Sequence, residues 1–277
     1  MNWFANDRHC FLLAVACYGI SMLYTVFLWR RGFRKDNRIN YLLLLLGFGL
    51  HTAAMFLRGY RLNRCPISNL YEATLFSMWA LVGMYLIIGW WSRLQFLGAF
   101  ASPVLFCVGV FALMPGLDTP ASTVRPEVPA VVTSLHASLL ALAYGAFGLS
   151  FAAAVMYLVQ ERNLKFHKLR AVFSLMPPIQ RLERAVGILI VIGFCLLTVG
   201  LGLGAFGLGH LGQPGIYRGD PKIVWSAVVW LLYMGLIIMR WKFAQGGRRL
   251  AFGAIGSFGF ILLTFWGTNL VSPLHHP

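Results

Sequence analysis

Charge is scarce in this chain. Charged residues fill 11% of its 277 positions, where soluble domains carry about 25%. With 59% hydrophobic residues and a mean hydropathy of +0.73, the shortage marks an integral membrane protein with no room for a large soluble domain. Acids are scarcer than bases, eight against 23, so the formal net charge is +15. That surplus has a cause in membrane topology, and nucleic acid is not implied. No C-x-x-C pair occurs among Cys10, Cys17, Cys65, Cys107 and Cys195, which removes zinc knuckles and thioredoxin-like redox motifs. Isolated thiols packing as small hydrophobes is the favoured reading, with only Cys65 in a clear loop. No segment repeats at a fixed period, and no linker marks a second domain, so a single membrane domain over 1–277 is expected. No inverted repeat or broken-helix pair suggests a secondary transporter. No cleavable signal peptide is expected either. The first apolar run, Cys10–Trp29, is long enough to span, and its arginines follow it instead of preceding it.

What the chain does have is apolar runs. Eight of them, near 10–29, 39–57, 73–91, 95–114, 132–158, 186–208, 223–241 and 250–271, reach the length a hydrocarbon core of ~30 Å demands. The expected fold is therefore all-α, a polytopic membrane bundle of about eight transmembrane helices, the fifth over-long. Sixteen Lys and Arg fall on the loops 30–38, 159–185 and 240–249 and near Arg93, against seven on the other side. The positive-inside rule puts the sixteen in the cytoplasm and both termini outside, and a bacterial cytoplasmic (inner) membrane is the expected location.

The histidines gather on the sparse side. His9, His51, His136, His210, His275 and His276 lie in the outer half, and only His167 is cytoplasmic. Imidazole is the commonest metal-ligating side chain. Taken singly, each reads as an interfacial histidine. The stretch from His210 to Lys222 changes the weighting for His136 and His275. It is a Gly/Pro-rich loop too irregular to lie in lipid, where its backbone groups would go unpaired. It must sit at the water interface or in a protein-lined pocket, and it runs into a Trp-containing apolar helix. Together these point to a flat, apolar, metal-containing ligand, haem.

His136, Ala143 and Phe147 share one helical stripe, which small-residue helix packing would also explain. Arg58, Arg61 and Arg64 sit on the side that should be poor in bases. They suit propionates or other carboxylates, which Arg binds bidentately. Ser68-Asn69 followed by Glu72 reads as a helix start with Asn69 or Ser68 as cap, and the role of Glu72 stays open between structural and functional. Asp220-Pro221-Lys222 reads as a helix start as well. Interfacial belts account for Tyr217 and Trp225. Trp230, nearer mid-span, needs another reason.

The strings Ser68-Asn69-Leu70-Tyr71-Glu72, Leu135-His136 with Tyr144-Gly145-Ala146-Phe147, Asp220-Pro221-Lys222 with Trp225 and Trp230, and Gly267-Thr268-Asn269-Leu270 with Leu274-His275 resemble the cytochrome c assembly family. This is the haem-handling membrane family of the CcsA, ResC and CcmC type, with HemX-like and YpjD-like relatives, and the resemblance runs from about residue 40 to 276. It implies haem presented at the outer face to apocytochrome c, with His136 and His275 as axial ligands flanking a Trp-rich loop at about 210–222. It also implies Tyr217, Asp220 and Trp225 at the cofactor, and apocytochrome c or other assembly subunits as partners. The family's W-G-x-x-W-x-W-D pattern is matched here only at Asp220. Gln213, Pro214, Tyr217 and Gly219 stand at the other positions, Ile223 where a Glu usually follows, and Ile238 where the synthase branch has a membrane-embedded histidine. The chain is thus most similar to the HemX-like and YpjD-like branch.

Two functions follow. The first is a haem-binding membrane protein assisting cytochrome c maturation or haem delivery, with Arg58, Arg61 or Arg64 on the propionates. Such a site has both axial positions filled and does not activate oxygen, so an assembly factor is expected in place of a stand-alone catalyst. The second is a HemX-like regulatory or scaffolding protein that kept the fold and lost haem.

Overall fold

A computed structural model describes residues 6–31, 38–62, 69–90, 95, 97–114, 117–118, 130–166, 178–209, 221–243 and 246–271. The side chains of 28–31, 70, 130–131, 163, 166, 208–209 and 265–271 lie outside that description. All regular structure among the described residues is helical. The elements are α1 (Asp7–Arg31), α2 (Arg38–Leu62), α3 (Leu70–Gly89), α4 (Gly98–Ala112), α5 (Ala130–Phe166), α6 (Ile179–Gly209), α7 (Pro221–Trp241) and α8 (Gly247–Val271). Six of the eight, α1, α2, α3, α5, α6 and α7, are long and apolar enough to cross a membrane. The chain is a polytopic helical membrane bundle, as its apolar runs predict. The expected fourth span, 95–114, is helical in the α sense only over 98–112, and at 15 residues it is shorter than the rest. The expected over-long fifth span is a helix of 37 residues.

The helix starts follow from local chemistry. Asn69 caps α3: its backbone is extended and its side-chain oxygen accepts from the Glu72 amide at 2.8 Å. This is the cap expected from the sequence; Ser68 lies outside the described residues. Asp7 stands in the first turn of α1, where its charge complements the helix dipole.

The chain forms two compact units. The first comprises residues 1–121 and 160–178, and the second 122–159 and 179–277. In the first, α1 packs on α2 and α4, and α3 packs on α2 and α4. Its core is aromatic and includes Phe11, Tyr18, Tyr71 and Tyr85. His51 is wholly buried there, its ring 5.0 Å from that of Phe11 and its Nδ1 3.2 Å from the Tyr18 hydroxyl. In the second unit, α7 and α8 pack together and both contact α6. The Phe147 ring of α5 stacks on Tyr233 of α7, with centroids 3.5 Å apart. The four described cysteines, Cys10, Cys17, Cys107 and Cys195, form no disulfide.

Candidate functional site

The second unit holds the arrangement with the most chemistry. His136 lies two turns into α5, half-buried, and its Nδ1 is 2.7 Å from the carbonyl oxygen of Gly200 on α6. A carbonyl only accepts, so Nδ1 carries the proton and donates. In an uncharged imidazole so held, the lone pair is on Nε2. This is how metal-ligating imidazoles are held, with one nitrogen tied to the protein and the other free to coordinate. Gly204, one turn further along α6, makes room for the ring. A Cβ at that position would come within 2.6 Å of His136 Cε1.

Aromatic side chains also join the helices of this unit. Tyr144, two turns along α5 from His136, has its ring 6.2 Å from that of Trp225 on α7. Trp225 is buried, and its indole N–H donates to Thr264 Oγ1 of α8 at 2.5 Å. Trp230 also has its reason. It donates to Thr198 Oγ1 of α6 at 3.0 Å and packs against Phe194 at 5.3 Å. The Thr198 hydroxyl is free to accept because its own proton goes to the Phe194 carbonyl at 2.8 Å.

No three His, Cys, Asp or Glu side chains come together as a metal cage among the described residues. His136 is therefore not part of a zinc-type site there, which needs three or four protein ligands. A haem iron makes a smaller demand, one or two axial ligands, because the porphyrin supplies the other four. An imidazole with one nitrogen tied to the protein fits that demand. His275, Tyr217 and Asp220 lie outside the described residues.

The arginines of the first unit do different work. Arg58 is 3% exposed and sits among three carboxylates. Its Nε donates to Glu72 Oε1 at 3.0 Å, its Nη1 to Asp7 Oδ2 at 3.1 Å and to Asp118 Oδ2 at 3.2 Å, and its Nη2 to Asp118 Oδ1. Arg61 pairs with Asp7 at 3.1 Å, and Arg8 with Asp118 at 3.0 Å. Three guanidiniums thus meet three of the chain's eight acids. The guanidinium of Arg58 also lies 4.7 Å above the Tyr71 ring. Asp118 takes a further bond from Asn69 Nδ2 at 2.9 Å, and the neighbouring Leu117 carbonyl accepts from the Tyr71 amide at 3.2 Å. Burial alone would raise the Asp118 carboxyl; the Arg58 guanidinium, with Arg8 and Asn69, outweighs it and holds the group below its ordinary value. Arg64 lies outside the described residues. Sequence reasoning missed this cluster. The available signal was that Asp7 and Glu72 each open a helix, on a chain with few acids to spare.

A family model described as "Cytochrome C assembly protein" matches residues 67–276. The chain belongs to the cytochrome c assembly protein family. Among curated relatives, Protein HemX of Brevibacillus brevis is 27% identical over 86% of this chain and 87% of its own length. Cytochrome c biogenesis protein CcsA of Chlorella vulgaris is 26% identical over 94% of this chain and 93% of its own. Protein HemX of Bacillus subtilis is 24% identical over 94% of each. Both branches that the sequence motifs suggest are therefore represented. The family match takes in His136, the 210–220 loop and His275, along with Asn69, Glu72 and Asp118. Asp7, Arg58 and Arg61, the other half of the ion cluster, precede it.

Proposed function

We propose that this member of the cytochrome c assembly family handles haem at the outer face of a bacterial cytoplasmic membrane and passes it to apocytochrome c or to another assembly subunit. His136 is one axial ligand, through Nε2, and His275 is the other. Trp225, with Tyr217 and Asp220, belongs to the haem surround. One observation carries the reading: the 2.7 Å bond from His136 Nδ1 to the Gly200 carbonyl fixes the tautomer that leaves Nε2 available. Haem, when bound, supplies the iron and its four pyrrole nitrogens; the chain supplies the axial imidazoles, their orientation and an apolar wall. Arg58 and Arg61 are engaged by carboxylates of the first unit, so the proposal stands on the second unit alone.

The test is the absorption spectrum of the detergent-purified protein expressed with haem available, native and His136→Ala, with helicity checked by circular dichroism. A Soret band that weakens or shifts in the variant supports the proposal. A native protein with no band, even after haem titration, ends it.

A second reading is a HemX-like regulatory or scaffolding protein without haem. The loop favours it, since Gln213, Pro214, Tyr217 and Gly219 replace the patterned tryptophans and glycine. It predicts no Soret band and no loss of cellular function in His136→Ala.

A further inference from the structure

The end of the second unit away from His136 carries a different chemistry. There α6 begins, α7 ends and α8 begins. Six basic side chains belong to these termini: Arg181 and Arg184 on α6, Arg240 and Lys242 at the end of α7, and Arg248 and Arg249 on α8. The nearest acid by sequence, Glu183, does not offset them freely. Its carboxylate accepts from the Gly247 amide at 2.7 Å, where the chain turns with φ +62° into α8. Arg240 is folded inward over α6, where its guanidinium occupies the space a side chain at Gly187 would need. The other five basic side chains are exposed. Trp241 and Phe243, 69% and 62% exposed, stand at the same end, and Arg248 lies 5.4 Å over the Phe252 ring.

We propose that this basic crown is a docking face for anionic phospholipid headgroups. Three features select lipid as the occupant. Four of the cations sit at the ends of α6 and α7, helices long and apolar enough to cross a membrane, and the start of α8 is tied to them through the Glu183–Gly247 bond. Exposed Trp and Phe flank them, as they do at membrane interfaces. The charge is spread over three helix termini, which suits several diffuse phosphates better than one rigid partner. Each basic side chain near an anionic bilayer surface raises association by about fivefold, an effect that salt screens. This inference is independent of the haem reading.

The experiment reconstitutes the full chain in phosphatidylcholine nanodiscs with and without phosphatidylglycerol and counts retained lipids by native mass spectrometry. The native protein is expected to retain phosphatidylglycerol preferentially. Arg181→Gln/Arg184→Gln/Arg248→Gln/Arg249→Gln should lose that preference by about tenfold or more. Equal retention of the two lipids by the native protein, or an undiminished preference in the variant, overturns the proposal. So does selective binding of an acidic peptide with no lipid preference, which would make the face a protein interface. Should the fourfold variant misfold, Arg181→Gln/Arg249→Gln and a salt titration of the native protein decide the same question: a preference that neither weakens overturns it.

Discussion

Replacing Arg58 by leucine should unfasten the first unit. The substitution removes a buried guanidinium that hydrogen-bonds Asp7, Glu72 and Asp118 at once, at 3.0 to 3.2 Å. Removing one partner from a buried ion pair typically costs about 3–5 kcal/mol, because the other charge stays behind in a poorly solvating site. Two features bound the figure here. Arg61 still holds Asp7, although it is 59% exposed and so adds little. A carboxylate left without its cation can also take up a proton, which for an ordinary carboxyl costs about 4 kcal/mol at pH 7 and about 1.4 kcal/mol less for each pH unit below that. The expected loss is thus about 3–4 kcal/mol at pH 7, and it should shrink as the pH falls toward 5. Arg58→Lys keeps the charge but loses the fork, so it should cost an intermediate amount. The assay is denaturant unfolding in detergent, followed by circular dichroism, for the native protein and both variants at pH 7 and pH 5. A leucine variant within about 0.5 kcal/mol of native would refute the reasoning, as would a deficit that does not narrow with acid.

Three further outcomes are expected. Asp118→Asn should flatten the acid limb of the stability profile: the Asp118 carboxyl is held low in the folded state, so its contribution is present above the ordinary carboxyl range and is lost as pH falls through the folded value. A pH series of thermal midpoints, native against variant, reads this directly. Gly204→Ala puts a methyl group where the His136 ring lies, so the haem-loaded variant should show a displaced Soret band while keeping native helicity. Trp230→Phe should cost about 1 kcal/mol in unfolding free energy and Thr198→Val somewhat more, since it also removes the bond to the Phe194 carbonyl, and the double variant should cost little more than Thr198→Val alone.

The membrane helices were legible because lipid dictates them: an apolar run of the right length has few alternatives, and the runs near 39–57, 132–158 and 223–241 lie within α2, α5 and α7. The Asn69 cap was legible because its partner, Glu72, is three residues away. The ion cluster was not. Arg58 reaches Asp7, 51 residues before it, and Asp118, 60 after it, and no local pattern announces such a meeting. Arg58 and Arg61, two of the three arginines that looked surplus for their side of the membrane, are explained by it. The tether on His136 was hidden for the same reason, since Gly200 is 64 residues away and offers a backbone atom, which no residue type reveals.

The two readings of the second unit can be weighed on what the His136 arrangement costs. A glycine inside a helix is less favourable than alanine by about 1 kcal/mol, so Gly200 and Gly204 together sacrifice roughly 2 kcal/mol of helix propensity in α6. Membrane helices often accept that cost to let backbones approach one another. Here the gap at Gly204 is filled by an imidazole, and the carbonyl one turn earlier bonds it. A scaffold needing only packing would do better with leucine at 136 and alanine at 204, which fill the same space and leave no polar ring to satisfy. What leucine cannot supply is an oriented lone pair. The arrangement makes physical sense when the orientation of Nε2 matters, and that is the property an axial ligand needs. The same reasoning makes Gly204→Ala the sharper probe of the pair: it leaves the imidazole in the chain and alters only its aim, so a spectral change without unfolding separates ligation from packing.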